Sequence, residues 1–323
     1  SSDVCSSDLR KMCWLILLSI AAALIYLFLF MNMKYFDYFM SLRVPKLVVM
    51  IIVAFAIGGA SIVFQSIINN TIVTPCLLGM NSLYTLIHTA VVFFLGSGSI
   101  FVVQANLSFG LDLILMGVIA TLIYSYLFKK TKHNVLYVLL SGTIMTTFFS
   151  SIQTTLTRIM DPNEYDTLLS SLVASFSNIN TSIIVFSVLL MAAIIFGLRK
   201  ELALLDVITL GKDQAINLGV DYDRTIRRLL LGVTLFIAIA TAMVGPISFL
   251  GLIIANLSRE FFKTYRHTTL IIGSFLIGII ILVGGQIVVE RVYNYGIPIS
   301  VFITVGGGIY FLYLLLRQRR VNG

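Results

Sequence analysis

The chain has 323 residues, of which 59% are hydrophobic and only 11% are charged, and its formal net charge is +8. Soluble domains carry about 25% charged residues, so this composition excludes a soluble protein and indicates an all-α, polytopic membrane protein. The excess of Lys and Arg does not require a nucleic-acid partner, because these residues fall in short loops, as membrane topology would place them.

The first residues differ from the rest of the chain. Residues 1–11 lack an initiator Met and nearly repeat a Ser-Ser-Asp pattern, so we expect a non-native or disordered leader outside the fold. Residues 12–323 then form a single transmembrane domain. Its apolar stretches of about 20 residues can each cross about 30 Å of hydrocarbon. The clear stretches are residues 12–33, 46–67, 80–96, 110–128, 135–157, 182–198, 268–289 and 298–316.

Residues 229–258 form either one long helix or two spans that break at Gly245-Pro246, where proline lacks the N–H that a helix needs. The distribution of charge decides between them. With ten spans and a cytoplasmic N-terminus, 17 of the 22 Lys and Arg residues lie inside and 5 outside, whereas nine spans give 12 and 10. Positive residues concentrate on the cytoplasmic side, so the sequence predicts about ten spans with both termini in the cytoplasm.

The loop at about residues 199–228 is the polar segment with the clearest structural signals. Asp213 to Leu218 can form a short helix that Gly219 ends in a left-handed conformation. Asp221 can then cap the N-terminus of the next helix. Two short helices at an angle on the cytoplasmic face would make a rigid lever for another protein; the alternative is a plain surface linker.

Several kinds of chemistry find no support in the sequence. A phosphate-binding Gly-x-x-x-x-Gly-Lys-[Ser/Thr] loop is absent, and Gly211-Lys212-Asp213 is the nearest approach to one. We therefore expect no nucleotide-hydrolysing or other catalytic site on this chain. The three cysteines and three histidines are scattered without metal spacing, which predicts no metal site. Asp112 and Glu290 are the acids near spans, and both lie near helix ends, which weakens an ion-coupled secondary transporter.

The fifth predicted span is rich in hydroxyl groups. A weakly polar, uncharged lining would suit a large solute that must not bind tightly, although helix packing explains such residues equally well. The candidate pore-lining residues are Ser141, Thr143, Thr146, Thr147 and Ser150.

Arg43 and Lys46 lie between two apolar stretches, on the side of the membrane where positive charge is normally avoided. We therefore expect them to hold an acidic partner or ligand on the outer face. The alternative for Arg43 is an interfacial side chain that reaches out to water.

Ordered motifs resemble one family of membrane proteins, the permeases of type II ABC importers for iron–siderophores, haem and vitamin B12. Arg43-Val44-Pro45-Lys46 resembles the family's Arg-Leu-Pro-Arg, and residues 210–220 resemble its coupling helix, Leu-Gly-Glu-Glu-x-Ala-x-x-Leu-Gly-Val. Ile297-Pro298-Ile299 is similar to the opening of its last helix. The matching residues of its two other motifs are Gln65, Asn70, Pro75, Gly79, Gly245, Pro246 and Gly251. The chain departs from these motifs at Thr71, Lys212, Ser248 and Ala255-Asn256.

The resemblance implies a permease that moves ferric siderophore through a pore made with a second permease subunit, in a homodimer or a heterodimer. Residues 74–84 are most similar to the branch for catecholate or petrobactin-type siderophores. ATP–Mg would be held by separate cytoplasmic ATP-binding subunits, and this chain would bind no cofactor. Haem or cobalamin import is the alternative within the family.

The resemblance also assigns contacts with the partner proteins. An extracellular substrate-binding lipoprotein would dock at Arg43, with Lys46 and Arg291 as weaker candidates. The ATPase subunits would receive the coupling helix, and the residues implied in that contact are Leu210, Gly211, Asp213, Ala215 and Gly219.

Overall fold

The computed structural model describes residues 2–29, 35–130, 135–174, 176, 181–294 and 296–321. The chain folds into helices throughout these ranges. The long helices are α1 (Ser2–Phe28), α2 (Phe36–Ile68), α3 (Met80–Leu95), α5 (Ala105–Lys130), α6 (Val135–Ile159), α8 (Thr181–Ala203), α11 (Tyr222–Val244), α12 (Leu250–Phe262), α13 (His267–Arg291) and α14 (Ile299–Val321). The short ones are α4 (Ile100–Val103), α7 (Pro162–Leu172), α9 (Leu205–Ile208) and α10 (Lys212–Asn217), and a 3-10 turn covers Pro75–Leu78.

The ten long helices follow the ten predicted spans in order, and the prediction of an all-α membrane protein is confirmed. Six of them in the described ranges are long and apolar enough to cross a membrane by length and composition. Helix α1 already begins at Ser2, and Lys11 Nζ donates to Phe261 O at 3.1 Å, so the end of this segment packs against α12.

The stretch 229–258 divides in two, as the charge distribution predicts. Helix α11 ends at Val244 and α12 begins at Leu250. Between them Gly245 has φ +95° and Phe249 has φ +63°, both in the left-handed region. Helix α12 has only 13 residues, or about 20 Å at 1.5 Å per residue, so its first turn lies inside the bundle. There Asn81 Nδ2 donates to Ser248 Oγ at 3.3 Å.

Helix α2 is the centre of the bundle: 78% of its most apolar window is buried, against 17% for α1 and for α8. Small residues bring α2 close to α13, because a Cβ atom on Gly58 would lie 3.0 Å from Ser274 Oγ and one on Gly278 would lie 3.0 Å from Ala54 Cβ. Such close approach is typical of helix contacts in membranes. The exposed apolar side chains of α1 and α8 are suited to lipid.

Two ends of the bundle carry the polar connections. One end, here called the α7 end, carries α4, α7 and the start of α2. The other, the α9–α10 end, carries α9, α10 and the 3-10 turn. Helix α2 begins at Phe36 and continues through Pro45, so the predicted connection at 41–46 is helical. Hydropathy placed the start of this helix ten residues late because its first three turns contain Asp37, Ser41 and Arg43.

Candidate functional site

The segment from Leu205 to Val220 forms an angular structure at the α9–α10 end. Gly211 (φ +104°) separates α9 from α10, and Gly219 (φ +82°) follows α10. Asp221 then caps α11, because its Oδ1 accepts from Arg224 N at 3.1 Å. The predicted short helix, its left-handed stop and the following N-cap are confirmed.

This segment exposes apolar side chains while being tied to the bundle. Leu210, Ile216 and Leu218 are 54%, 50% and 63% exposed, whereas Ala215 is fully buried. Asp206 Oδ1 accepts from His267 N at 3.1 Å and also contacts the His267 ring, so α9 caps the first turn of α13. Motion of the segment would therefore be passed to α13, which a plain linker would not do.

The motif residues near the end of α2 form a clamp. Gln65 Nε2 donates to Thr71 O at 2.6 Å, and Gln65 Oε1 accepts from Arg259 Nε at 3.1 Å. Asn256 Nδ2 also donates to Thr71 O, at 2.8 Å. Two positions where the sequence departs from the family motif, Thr71 and Asn256, are thus in contact. Sequence reasoning missed Arg259, although an arginine within a short apolar helix needs a buried polar partner.

The rest of this connection packs against α5 and α6. Asn70 Oδ1 accepts from Ile72 N at 2.9 Å, and Pro75 starts the 3-10 turn. Tyr124 OH donates to Leu78 O at 2.8 Å. Gly79 follows with φ +92°, and a Cβ atom there would lie 2.8 Å from Thr146 Oγ1. These motif residues hold a connection that enters the bundle instead of lying on its surface.

The motif glycines of the α11–α12 connection serve close packing. A Cβ atom on Gly251 would lie 2.1 Å from Ser61 Oγ, and one on Gly245 would lie 2.9 Å from Ala174 Cα. Pro246 follows Gly245 in the same break, between the end of α11 and the start of α12. Side chains larger than hydrogen at these glycines would push α12 off α2 or displace the segment after α7.

Helix α6 carries an exposed polar face, here called the α6 stripe: Thr143, Thr147, Ser151, Thr154 and Arg158. Spacings of three and four residues place them on one side of the helix. Much of this face lines an open groove of about 610 Å³. Three of the predicted pore residues, Ser141, Thr146 and Ser150, lie off the stripe and are half-buried. Thr146 faces Gly79, and Ser150 Oγ lies 3.4 Å from Ser82 Oγ. The other members of the stripe, Ser151, Thr154 and Arg158, were not among the predicted pore residues.

The threonines of the stripe have their hydroxyl hydrogens engaged. Thr143 donates to Leu140 O at 2.9 Å, Thr147 to Thr143 O at 3.0 Å and Thr154 to Ser150 O at 2.8 Å. Their oxygen atoms keep free acceptor capacity. Except for Arg158, the stripe therefore presents uncharged acceptor oxygens.

The structure gives Arg43 a position that differs from the prediction. Arg43 is only 6% exposed. Its Nη1 donates to Tyr26 O, Leu27 O and Leu29 O at 3.0, 2.7 and 3.1 Å, so the guanidinium caps the C-terminal carbonyls of α1. A helix end leaves such carbonyls without partners. Arg43 is thus a buried contact between α1 and α2 in this chain, and its predicted docking role would have to be exerted from beneath the surface.

Lys46 and Arg291 lie beside the same helix end. Lys46 Nζ is 3.8 Å from Glu290 Oε1, which also accepts from Tyr26 OH at 3.1 Å and Gln286 Nε2 at 2.9 Å. Arg291 is exposed, and its Nη2 lies 3.5 Å from Leu29 O. The structure thus brings the three predicted docking residues together but leaves Arg291 as the accessible one.

Comparison with known proteins agrees with this architecture. The family model described as the FecCD transport family matches residues 9–317. The permease protein YclO of the petrobactin import system of Bacillus subtilis is 40% identical over 94% of this chain and 97% of its own length. FatC, the corresponding permease of Bacillus anthracis, is 33% identical over 86% of this chain and 78% of its own length.

A solved structure of an inward-facing, metal-chelate type ABC transporter superposes with a TM-score of 0.78 at 23% identity, covering 96% of this chain and 99% of its own. At that identity the likeness establishes the fold. The family match covers almost the whole chain, and the resemblance drawn from the motifs is confirmed. The chain is a multi-pass membrane permease that belongs to the FecCD transport family.

Proposed function

We propose that this permease carries a ferric siderophore of the petrobactin type inward across the cytoplasmic membrane, along the α6 stripe. The observation that carries the proposal is the exposure of this polar face on a helix of the bundle. Such a face is poorly suited to lipid and fits a pore shared with a second permease subunit. The names of the two Bacillus relatives support the substrate class.

The chemistry of the stripe fits a large chelate. Its threonine oxygens offer acceptors without charge, so donor groups on a solute can exchange from one hydroxyl to the next. Arg158 is exposed and lies near the α7 end of the stripe, where it would attract a negatively charged chelate at the mouth of the pore. No acidic side chain belongs to the stripe.

Energy would come from separate cytoplasmic subunits that bind ATP–Mg. The exposed Leu210, Ile216 and Leu218 offer apolar contacts for a groove on such a subunit. The contact of Asp206 with His267 then links this docking segment to α13. In this arrangement the α9–α10 end faces the cytoplasm and both termini lie there, in keeping with the distribution of Lys and Arg.

The extracellular lipoprotein would dock on the α7 end. Arg291 is the accessible member of the predicted set, and a guanidinium can hold a carboxylate through two hydrogen bonds. We propose that Arg291 makes this contact and that Arg43 and Lys46 support the surface beneath it.

Transport assays test the pore. Thr147→Trp narrows the groove, whereas Thr147→Val keeps the volume and removes only the hydroxyl. We expect uptake of labelled ferric petrobactin to fall at least tenfold in the first variant and less than threefold in the second. Uptake at the wild-type rate in Thr147→Trp would place the pore elsewhere.

The energy source and the substrate are tested with the wild-type protein. Uptake should stop when ATP is depleted while a proton gradient is kept. Uptake that continues under this condition would identify a secondary transporter. Transport of labelled haem or cobalamin in preference to the ferric siderophore would support the alternative substrates.

A further inference from the structure

A second polar site lies at the α7 end, apart from the α6 stripe. A cavity of about 330 Å³ opens between α3, α5 and α7. Its walls include Val92 and Phe109, and its polar lining includes Ser108, Thr167 and Ser170. At its base are His88 and Asp112, which are 5% and 2% exposed. The transport route proposed above uses none of these residues.

His88 joins the three helices. Its Nδ1 lies 2.7 Å from Asp112 Oδ2 on α5, and its Nε2 lies 2.9 Å from Ser171 Oγ on α7. The ring of Tyr84 stacks on the imidazole with a centroid distance of 5.9 Å and an interplanar angle of 18°. The imidazole is therefore fixed in position and in orientation.

The hydroxyl hydrogen of Ser171 is already engaged in this network. Ser171 Oγ donates to Leu168 O at 2.7 Å, so it accepts from His88 Nε2–H. Ser171 is therefore not arranged as a nucleophile, although the order Ser–His–Asp matches a hydrolase triad, because its hydrogen points to a carbonyl and not to the base.

Asp112 Oδ1 is the atom that this network leaves without a partner. It is buried and accepts no hydrogen bond from the described residues. Ser108 lies one helical turn before Asp112 on α5, and both residues line the cavity. Among the residues that line the cavity, Asp112 is the one with a carboxylate side chain. A buried carboxylate oxygen without a donor is energetically costly.

We propose that this cavity binds a small alkylammonium group, with Asp112 Oδ1 as the charged acceptor and the hydroxyls of Ser108 and Thr167 as neutral acceptors. An ammonium has three N–H donors, and the rings of Tyr84 and Phe109 and the valine walls suit the alkyl chain that carries it. A bare metal ion would find too few oxygen ligands in this lining.

Calorimetry on the full chain in nanodiscs of zwitterionic lipid tests the site, with n-butylammonium chloride as the probe. We expect saturable binding of one cation per chain. Asp112→Asn should weaken binding at least tenfold. Asp112→Asn keeps the hydrogen bond between positions 112 and 88, because an amide N–H can donate to His88 Nδ1. Asp166→Asn, an exposed change on α7 outside the cavity, should bind as the wild type does.

A second variant keeps the proposal testable if Asp112→Asn does not fold. Ser108→Leu adds a branched side chain to the cavity wall one helical turn from Asp112 and should abolish binding. Wild-type affinity in either of the two variants would overturn the site, and displacement of the probe by equimolar sodium would overturn the ligand class.

Discussion

Arg43 shows how a charged side chain can be kept inside a membrane helix bundle. Its guanidinium donates to three carbonyl oxygens at the end of α1 and lies 5.4 Å from the centroid of Phe39. A guanidinium is always charged and carries five donors, so it satisfies several carbonyls at once. Here it joins α1 to α2, and that stabilises the fold whether or not a lipoprotein docks nearby.

Arg43→Gln should therefore lower stability. The change leaves the carbonyls of Tyr26, Leu27 and Leu29 with fewer donors, at a cost of about 1–3 kcal/mol, and the thermal midpoint of the purified protein should fall. Arg158→Gln, at an exposed position on α6, should leave the midpoint unchanged. An unaltered midpoint together with weaker lipoprotein binding would instead support the docking role that the sequence predicted.

Lys46 and Glu290 form the second charged contact in this region, with side chains that are 13% and 9% exposed. Removal of one member of a buried pair leaves an uncompensated charge, whereas removal of both is often tolerated. We expect Glu290→Gln to lower the thermal midpoint and Lys46→Met with Glu290→Gln to restore part of the loss. If the shifts in thermal midpoint caused by Lys46→Met alone and by Glu290→Gln alone add up to the shift of the double variant, the two side chains are not energetically coupled.

At the scale of elements, the segment of α9 and α10 depends on two glycines with positive φ. Gly219 has φ +82°, and no atom lies near the position that a Cβ would take. The left-handed backbone conformation, and not a lack of space, therefore restricts which residue can stand there. A β-branched residue in the left-handed region costs about 1–2 kcal/mol. The angle between α10 and α11 would change to relieve this strain.

Gly219→Val should thus uncouple ATP hydrolysis from transport while the protein still inserts. The expected result is ATPase activity of the assembled importer that no longer responds to substrate, with uptake reduced at least fivefold. Gly98→Val is the matched control, because Gly98 also has open space but no positive φ. If both variants transport as the wild type does, the segment is a linker and not a lever.

At the scale of the whole molecule, the ten long helices of the described residues alternate between the α7 end and the α9–α10 end. The sequence places 17 of the 22 Lys and Arg residues in the predicted cytoplasmic loops, so we expect the α9–α10 end to face the cytoplasm. The proposed contact with a second permease subunit and the proposed pore would both involve faces that the described part of the chain leaves exposed.

Reporter fusions test the orientation. A cytoplasm-active reporter joined after residue 323 should be active, and one inserted at Gly98 should be inactive. An exported phosphatase at the same sites should give the reverse pattern. Activity of the cytoplasmic reporter at Gly98 would invert the topology and with it the assignment of the docking and coupling surfaces.

The sequence by itself determined the class of protein, the order of its long helices and the local structure of residues 205–221. These depend on properties that neighbouring residues carry: apolar length, the sign of charge in loops, and the conformational preferences of Gly219 and Asp221. Gly245-Pro246 likewise predicted the break between α11 and α12, because proline lacks the N–H that a helix needs at that position.

Only the tertiary structure decided which polar side chains face each other. The sequence predicts an exposed cation at Arg43. In the structure the end of α1 covers this side chain, because α1 packs across the start of α2. The contacts of Gln65 with Arg259 and of His88 with Asp112 join residues that are 194 and 24 positions apart. The spacing of residues along the chain does not predict such contacts, because they arise only when separate helices pack side by side.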